Sequence, residues 1–283
     1  ALNFAASDVT TNVNSCWYNL NLSSTNTTIS NCANTTLTLV DGTYNITVYT
    51  NDTVNNVNQS NILFFRVDTT APRLNVTAPL NNTNTSSSSV ALNFAASDVT
   101  TNVNSCWYNL NLSSTNTTLA DCANTTLNLA DGRYNITVAV NDTVNNINQS
   151  QRLFFEVDTT APRLNLVEPR NITYLTTSLE INFSVSDTNL GSCWYTNDSG
   201  VMNYTLTNCQ NTTYTTSQGS TTLRLYANDT VNNVNNSGIV TFFVDSIVPQ
   251  LTINSPGNIT YTSLPIVFNI TLSVKPKTEK SPS

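Results

Sequence analysis

Ser105-Cys106-Trp107-Tyr108 occurs three times in this chain, also as Ser15-Cys16-Trp17-Tyr18 and Ser192-Cys193-Trp194-Tyr195. Sixteen residues after each first cysteine comes a second: Cys32, Cys122 or Cys209. A rare large aromatic beside a cysteine, among short alternating runs, reads as the central strand of a small β-sandwich, with Trp filling the core and its neighbours pointing out. Working outward, residues 1–28 return unchanged as 91–118, an offset of 90, and the third Cys-Trp-Tyr follows the second by 87. Solenoid repeats run to roughly 20–50 residues, so this longer period describes sandwiches that each bury their own core. The fold class expected is all-β, a string of seven-stranded sandwiches with one disulfide each.

Repeat 2 shows the scheme entire. Asp68-Thr69-Thr70-Ala71-Pro72 opens it and Asp158-Thr159-Thr160-Ala161-Pro162 closes it. Proline fixes φ and cannot donate to a ladder, which suits a short, stiff junction. Strand A is expected at 73–78 and a loop or loose edge at 81–89. Strand B follows at 90–97, with Leu92, Phe94 and Ala96 on one face. Strand C is placed at 106–112 and further strands at 119–122, 125–129 and 152–157. Leu129-Ala130-Asp131-Gly132-Arg133-Tyr134, matched by Leu39-Val40-Asp41-Gly42-Thr43-Tyr44, reads as a tyrosine corner leading into strand F. Along F, Tyr134, Ile136 and Val138 alternate with Asn135 and Thr137, and Asn141-Asp142-Thr143-Val144-Asn145-Asn146 makes the turn that follows. The third repeat lacks the Asp-Gly-x-Tyr corner and has Ser217-Gln218-Gly219-Ser220 nearby.

In order and spacing these elements resemble the tandem immunoglobulin-like repeats of archaeal cell-surface proteins, over residues 1 to about 274. The resemblance implies an extracellular, glycosylated, structural or adhesive role and no active site to transfer. The boundaries expected are 1–68 for repeat 1 (lacking strand A), 69–158 for repeat 2, 159–246 for repeat 3, and 247–283 for a partial fourth repeat of strands A and B. The last carries a tail with the chain's only lysines, Lys275, Lys277 and Lys280.

Composition excludes several classes of function. Only 10% of residues are charged, against 39% hydrophobic, and 47 are asparagine, so solubility rests on uncharged polar groups. Regularly spaced aromatic and β-branched residues argue against disorder. A net charge of −7 without basic clusters argues against nucleic acid, which requires a positive surface. No run reaches the ~18 apolar residues of a membrane span, and no signal peptide begins the chain. With no histidine and no Cys-x-x-Cys spacing, zinc is disfavoured and the six cysteines read as intradomain disulfides of an oxidising compartment. The absence of histidine also excludes Ser-His and Cys-His catalysis, and Glu156, Glu168, Glu180 and Glu279 form no repeating pair, so no enzyme is expected.

About two dozen Asn-x-Ser/Thr triplets are the densest signal. The glycosylation candidates are Asn21, Asn26, Asn34, Asn45, Asn51, Asn58, Asn75, Asn111, Asn116, Asn124, Asn135, Asn141, Asn171, Asn203, Asn228 and Asn258. Asn45 and Asn135 fall on the outward parity of strand F. Asp68, Asp98, Asp142 and Asp158, with Asp8 and Asp52 in repeat 1, are candidates for calcium held where loops meet at a junction; the competing reading is that each caps its own turn, which the absence of a dense Asp run favours. No other cofactor is expected.

Two functions follow. The first is a surface filament or stalk, its chain ends completing one another: residues 250–255 of one copy supply strand A to repeat 1 of the next, giving a head-to-tail homopolymer. The second is an adhesin or carbohydrate-binding module whose repeats act as spacers, with other cell-surface proteins or glycans as partners. Tyr18, Tyr108 and Tyr195, placed outward on strand C, are its repeated aromatic candidates.

Overall fold

The structure is a computed structural model and describes residues 1–197 and 200–273. The chain divides into two compact units, Ala1–Val157 and Asp158–Ser283. The first contains repeats 1 and 2, the second repeat 3 and the strands after it.

Repeat 2 has strands A (Arg73–Ala78), A′ (Thr83–Thr85), B (Ser89–Ser97), C (Val103–Leu110), C′ (Thr117–Leu119), E (Thr125–Asn128), F (Gly132–Asp142), G′ (Ile147–Gln149) and G (Leu153–Val157). One sheet runs E-B-A and the other C′-C-F-G-A′, with G′ also on F. Two layers of antiparallel strands, with A′ crossing to run parallel to G, make this an immunoglobulin-like sandwich. Strand B contributes Val90, Leu92 and Phe94 to the core, and the facing layer contributes Cys106, Ile136, Val138, Val140, Phe155 and Val157. Leu92, Ile136, Val138 and Val140 are fully buried, each worth about 1.5–3 kcal/mol of transfer free energy.

Repeat 3 repeats the plan with A (Arg163–Glu168), A′ (Thr173–Tyr174), B (Ser178–Ser186), C (Leu190–Thr196), C′ (Tyr204–Leu206), E (Thr212–Thr215), F (Gly219–Asp229), G′ (Val234–Asn236) and G (Val240–Val244). Repeat 1 forms the second sheet only, from C (Val13–Leu20), C′ (Thr27–Ile29), F (Gly42–Asp52), G′ (Val57–Gln59) and G (Leu63–Val67). Its other layer is reduced to a bridge between Leu2 and Thr35. Beyond repeat 3, Gln250–Ser255 pairs with Asn269–Ser273. These are the strands A and B expected of the partial fourth repeat, and the lysine tail lies outside the described residues.

Strand C corrects the expectation about tryptophan. Cys106 is buried and Tyr108 packs against the core with Leu110, while Trp107 points to the outer face and is half-buried. The same holds in repeat 3, where Cys193 and Tyr195 are core residues. Each disulfide fixes this parity: Cys106 bonds to Cys122, just past the buried Leu119, so the strand must turn its cysteine inward and the alternate residue outward. Tyr18, Tyr108 and Tyr195 are thus the inward aromatics and the tryptophans the outward ones.

The tyrosine corner forms as expected. Tyr134 donates its hydroxyl to the Ala130 carbonyl at 2.9 Å and Tyr44 to Val40 at 2.8 Å, their rings lying on Phe155 and Phe65. In repeat 3 the residue before the glycine does different work: Gln218 exchanges two hydrogen bonds with Ser246 of the following segment. The stretch 81–89 is not all loop, since Thr83–Thr85 pairs with strand G through backbone alone.

Candidate functional site

The turn after strand F is where the repeated motifs converge. Asp142 is fully buried; its Oδ1 accepts the amides of Val144 and Asn146, both at 2.9 Å, and its Oδ2 accepts the Asn146 side chain at 2.7 Å. Burial pushes this carboxyl up, but the hydrogen bonds from Asn146, Val144 and Asn145 outweigh it and hold the group below its ordinary value. Thus locked, the loop aims its asparagines at the linker ahead of the repeat. Asn146 Nδ2 also donates to the Asp68 carbonyl at 3.2 Å, and Asn148 Nδ2 to the Pro72 carbonyl at 2.9 Å. Repeat 3 does the same, Asn233 gripping Asp158 at 2.7 Å and Asn235 gripping Pro162 at 2.9 Å. Asp-Thr-Thr-Ala-Pro and the Asn-Asp-Thr turn are therefore two halves of one clasp. The preceding repeat contributes too: Asp41 accepts from the Thr69 amide and the Thr69 and Thr70 hydroxyls, and Arg66 donates to the Thr100 carbonyl at 2.8 Å.

The clasp gathers carboxylates. Asp68, Asp98 and Asp142 bring oxygens within 4.8 Å of one another, and so do Asp158, Asp187 and Asp229. Asp158 thus belongs with repeat 3 rather than with Asp98 and Asp142, and Asp187 and Asp229, which the sequence reading passed over, complete its set. The signal was the shared offset from linker to turn. These are the residues that could hold a divalent cation, although calcium takes six to eight oxygens. Their turn-capping is visible as well: Asp98 Oδ1 accepts the Thr100 and Thr101 amides at 2.9 and 2.7 Å, and the Thr101 hydroxyl reaches Asp68 at 2.6 Å. In repeat 1 the corresponding Asp8 caps Thr10 and Thr11, and Asp52 caps Val54 and Asn56.

Three disulfides form, Cys16–Cys32, Cys106–Cys122 and Cys193–Cys209, each with Cα atoms 5.1 Å apart, and no cysteine is free. Each ties strand C to the turn after C′ within one sheet. The outer face of that sheet carries cross-strand aromatic pairs. Trp17 lies against Tyr49 at 5.7 Å and Trp194 against Tyr226 at 5.4 Å, both 3° from parallel, and Arg224 sits over the Tyr226 ring. In repeat 2 the residue opposite Trp107 is Ala139.

The acceptor asparagines occupy different environments. Asn51, Asn141 and Asn228, at the ends of the F strands, are structural: Asn141 is buried, takes the Ser105 amide and hydroxyl on Oδ1, and spends Nδ2 on Asn145. Asn51 and Asn228 are bound alike to Ser15 and Asn55 and to Ser192 and Asn232. Asn34 and Asn124 use Oδ1 to accept the Phe4 and Phe94 amides, leaving Nδ2 for other use. Asn21 and Asn111 accept from the amides of Asn45 and Asn135, which are half-buried. Asn45 Oδ1 is sealed without a partner. Asn26, Asn58, Asn75, Asn116, Asn171, Asn203 and Asn258 are exposed.

No protein-family model matches this sequence, and no curated protein matches it. Among solved structures, extracellular domains 3-5 of Drosophila OTK are similar with a TM-score of 0.39 and 12% identity, over 72% of this chain and 71% of that one. The fibronectin(III)-like modules of Clostridium thermocellum CbhA give 0.38 and 14%, over 61% and 94%. The FN1-FN3 domains of chicken CNTN1 give 0.34 and 9%, over 84% and 91%. Among the described residues no helix is long and apolar enough to cross a membrane.

Proposed function

We propose that the chain is an extracellular structural protein, a glycosylated array of immunoglobulin-like sandwiches that supplies reach and stiffness at a cell surface. The observation that carries this reading is the clasp. Each Asp-Thr-Thr-Ala-Pro linker is five residues long and is gripped by two asparagines of the repeat that follows, which leaves little free chain in the linker itself. Three formed disulfides support an oxidising compartment. A coat of sugars on the exposed asparagines would keep a surface with so little charge in solution.

The finer reading is a head-to-tail filament. Gln250–Ser255 and Asn269–Ser273 pair with the register of strands A and B in repeat 2, including the same irregularity near the end. Their side chains Leu251, Ile253 and Leu272 are exposed by about 60% each. Repeat 1 is a sheet of the opposite kind whose inner face is only partly covered, Ile46 being buried but Leu63 60% exposed. Laying the A–B pair of a second copy on that face would bury both. Sedimentation of the native chain against a version ended at Asp245 tests this: only the full chain should polymerise, and equal polymerisation of both would refute strand exchange. An adhesin remains the second reading, favoured by the outward tryptophans, and binding of free glycans to the purified chain would support it.

A further inference from the structure

Asn26, Asn116 and Asn203 each stand ten residues after the first cysteine of their repeat and each begins an Asn-x-Thr triplet. In repeat 2 the surroundings of Asn116 are built in a way that those of Asn141 are not. Thr118, the third residue of the triplet, lies directly across from Trp107 on the outer face. Asn109, two residues along from Trp107, donates Nδ2 to the Ser113 carbonyl at 2.8 Å and to Asn116 Oδ1 at 3.0 Å. The Asn116 amide is thereby held through its oxygen, and Nδ2, the atom that bears a sugar, is engaged by no acceptor among the described residues. Beside it is an open groove of about 260 Å³, lined by Trp107, Asn116, Ala139, Gln149 and Arg152 among others.

Around this tryptophan repeat 2 differs from the other two repeats at two positions. In repeats 1 and 3 a tyrosine lies opposite the tryptophan and covers one face of its ring. In repeat 2 that tyrosine is replaced by Ala139, and Arg152 stands where repeat 1 has Ile62. The C–H face of a pyranose is apolar and weakly positive at its hydrogens, so it suits the negative face of an indole. Gln149 and Arg152 offer donors for its hydroxyls.

We propose that Asn116 carries an N-linked sugar whose first pyranose lies against Trp107 in this groove. This rests on the reading of the protein as glycosylated. Attachment joins Nδ2 to the anomeric carbon of a lipid-linked sugar phosphate; the anomeric C–O bond to phosphate breaks, and the amide proton leaves with the phosphate. The buried Asn141 and the linker-gripping Asn148 stay bare, because their Nδ2 atoms already donate to Asn145 and Pro72.

The test takes the chain purified from its native host. Site-resolved glycopeptide mass spectrometry should find a sugar on Asn116 and none on Asn141 or Asn148. Thr118→Ala removes the acceptor triplet while leaving the Asn109–Asn116 bond intact. It should shift tryptophan emission to the red and raise acrylamide quenching, and in an Ala139→Tyr background the same change should have no effect. A bare Asn116 beside other occupied asparagines, a sugar on Asn141, or unchanged quenching in Thr118→Ala would overturn the proposal and leave the coat standing. A native chain without any sugar would overturn both.

Discussion

Residues 1–28 and 91–118 are the same sequence in two settings. In repeat 2, Leu92 is fully buried and Phe94 is 8% exposed, while Leu2 and Phe4 of repeat 1 are only half-buried. The difference is the partner strands: in repeat 2, strand B is paired by both A and E, whereas its counterpart in repeat 1 makes one bridge. The local pattern marks which side chains can form a core, and the second sheet decides whether they do. Strand C, stapled by its own disulfide and paired with F in both repeats, keeps the same register in each.

The largest effect that should separate the two repeats comes from Leu92→Ala, which removes a fully buried side chain and is expected to cost about 2–5 kcal/mol; Leu2→Ala should cost under about 1 kcal/mol. Hydrogen exchange resolved by repeat, read through a denaturant series, would measure both. Next in size, replacing Cys106 and Cys122 by serine opens a loop of 16 residues and should cost about 3 kcal/mol, with the same loss for Cys16 and Cys32. Equal losses would sharpen the comparison, since the staple acts within one sheet, and unequal ones would break it.

Tyr134→Phe should cost about 1 kcal/mol through the lost bond to Ala130, and Tyr44→Phe a similar amount, because the corner is built from residues four apart in both repeats. The mildest test is acid. Asp52 and Asp142 are both held below their ordinary value of 3.8: burial pushes each up and is outweighed by hydrogen bonds, chiefly from Asn56 and from Asn146. A carboxyl with a depressed folded pKa stabilises the fold above its unfolded value and loses that contribution as the pH falls through the folded one. Melting temperature should therefore hold down to about pH 4 and decline below it. Asp52→Asn and Asp142→Asn should each flatten that decline.

Much of this fold was legible because its strands alternate cleanly. Strand A fell at Arg73–Ala78 as expected, strand B kept Leu92, Phe94 and Ala96 on one face, and the tyrosine corner followed from Asp-Gly-x-Tyr. The parity of strand C was misread because Cys106, Trp107 and Tyr108 are all apolar. The residues two positions either side held the answer: Ser105 and Asn109 flank Trp107, whereas Leu110 follows Tyr108. Strand A′ had no side-chain signal, being held by backbone pairing and by Asn81. The clasp was half-legible: its turn is a local pattern, but Asn148 meets Pro72 across 76 residues. The bonds that hold Asn141, one of the glycosylation candidates, were hidden likewise, since Ser105 meets it across 36 residues.

Negative-stain electron microscopy of the purified native protein tests the central claim most directly. We expect beaded filaments or rods in which globular domains follow one another at roughly 35–40 Å, the length of a sandwich of such strands with its loops. Compact particles with no beads in line would contradict the reading of this chain as an extended surface array.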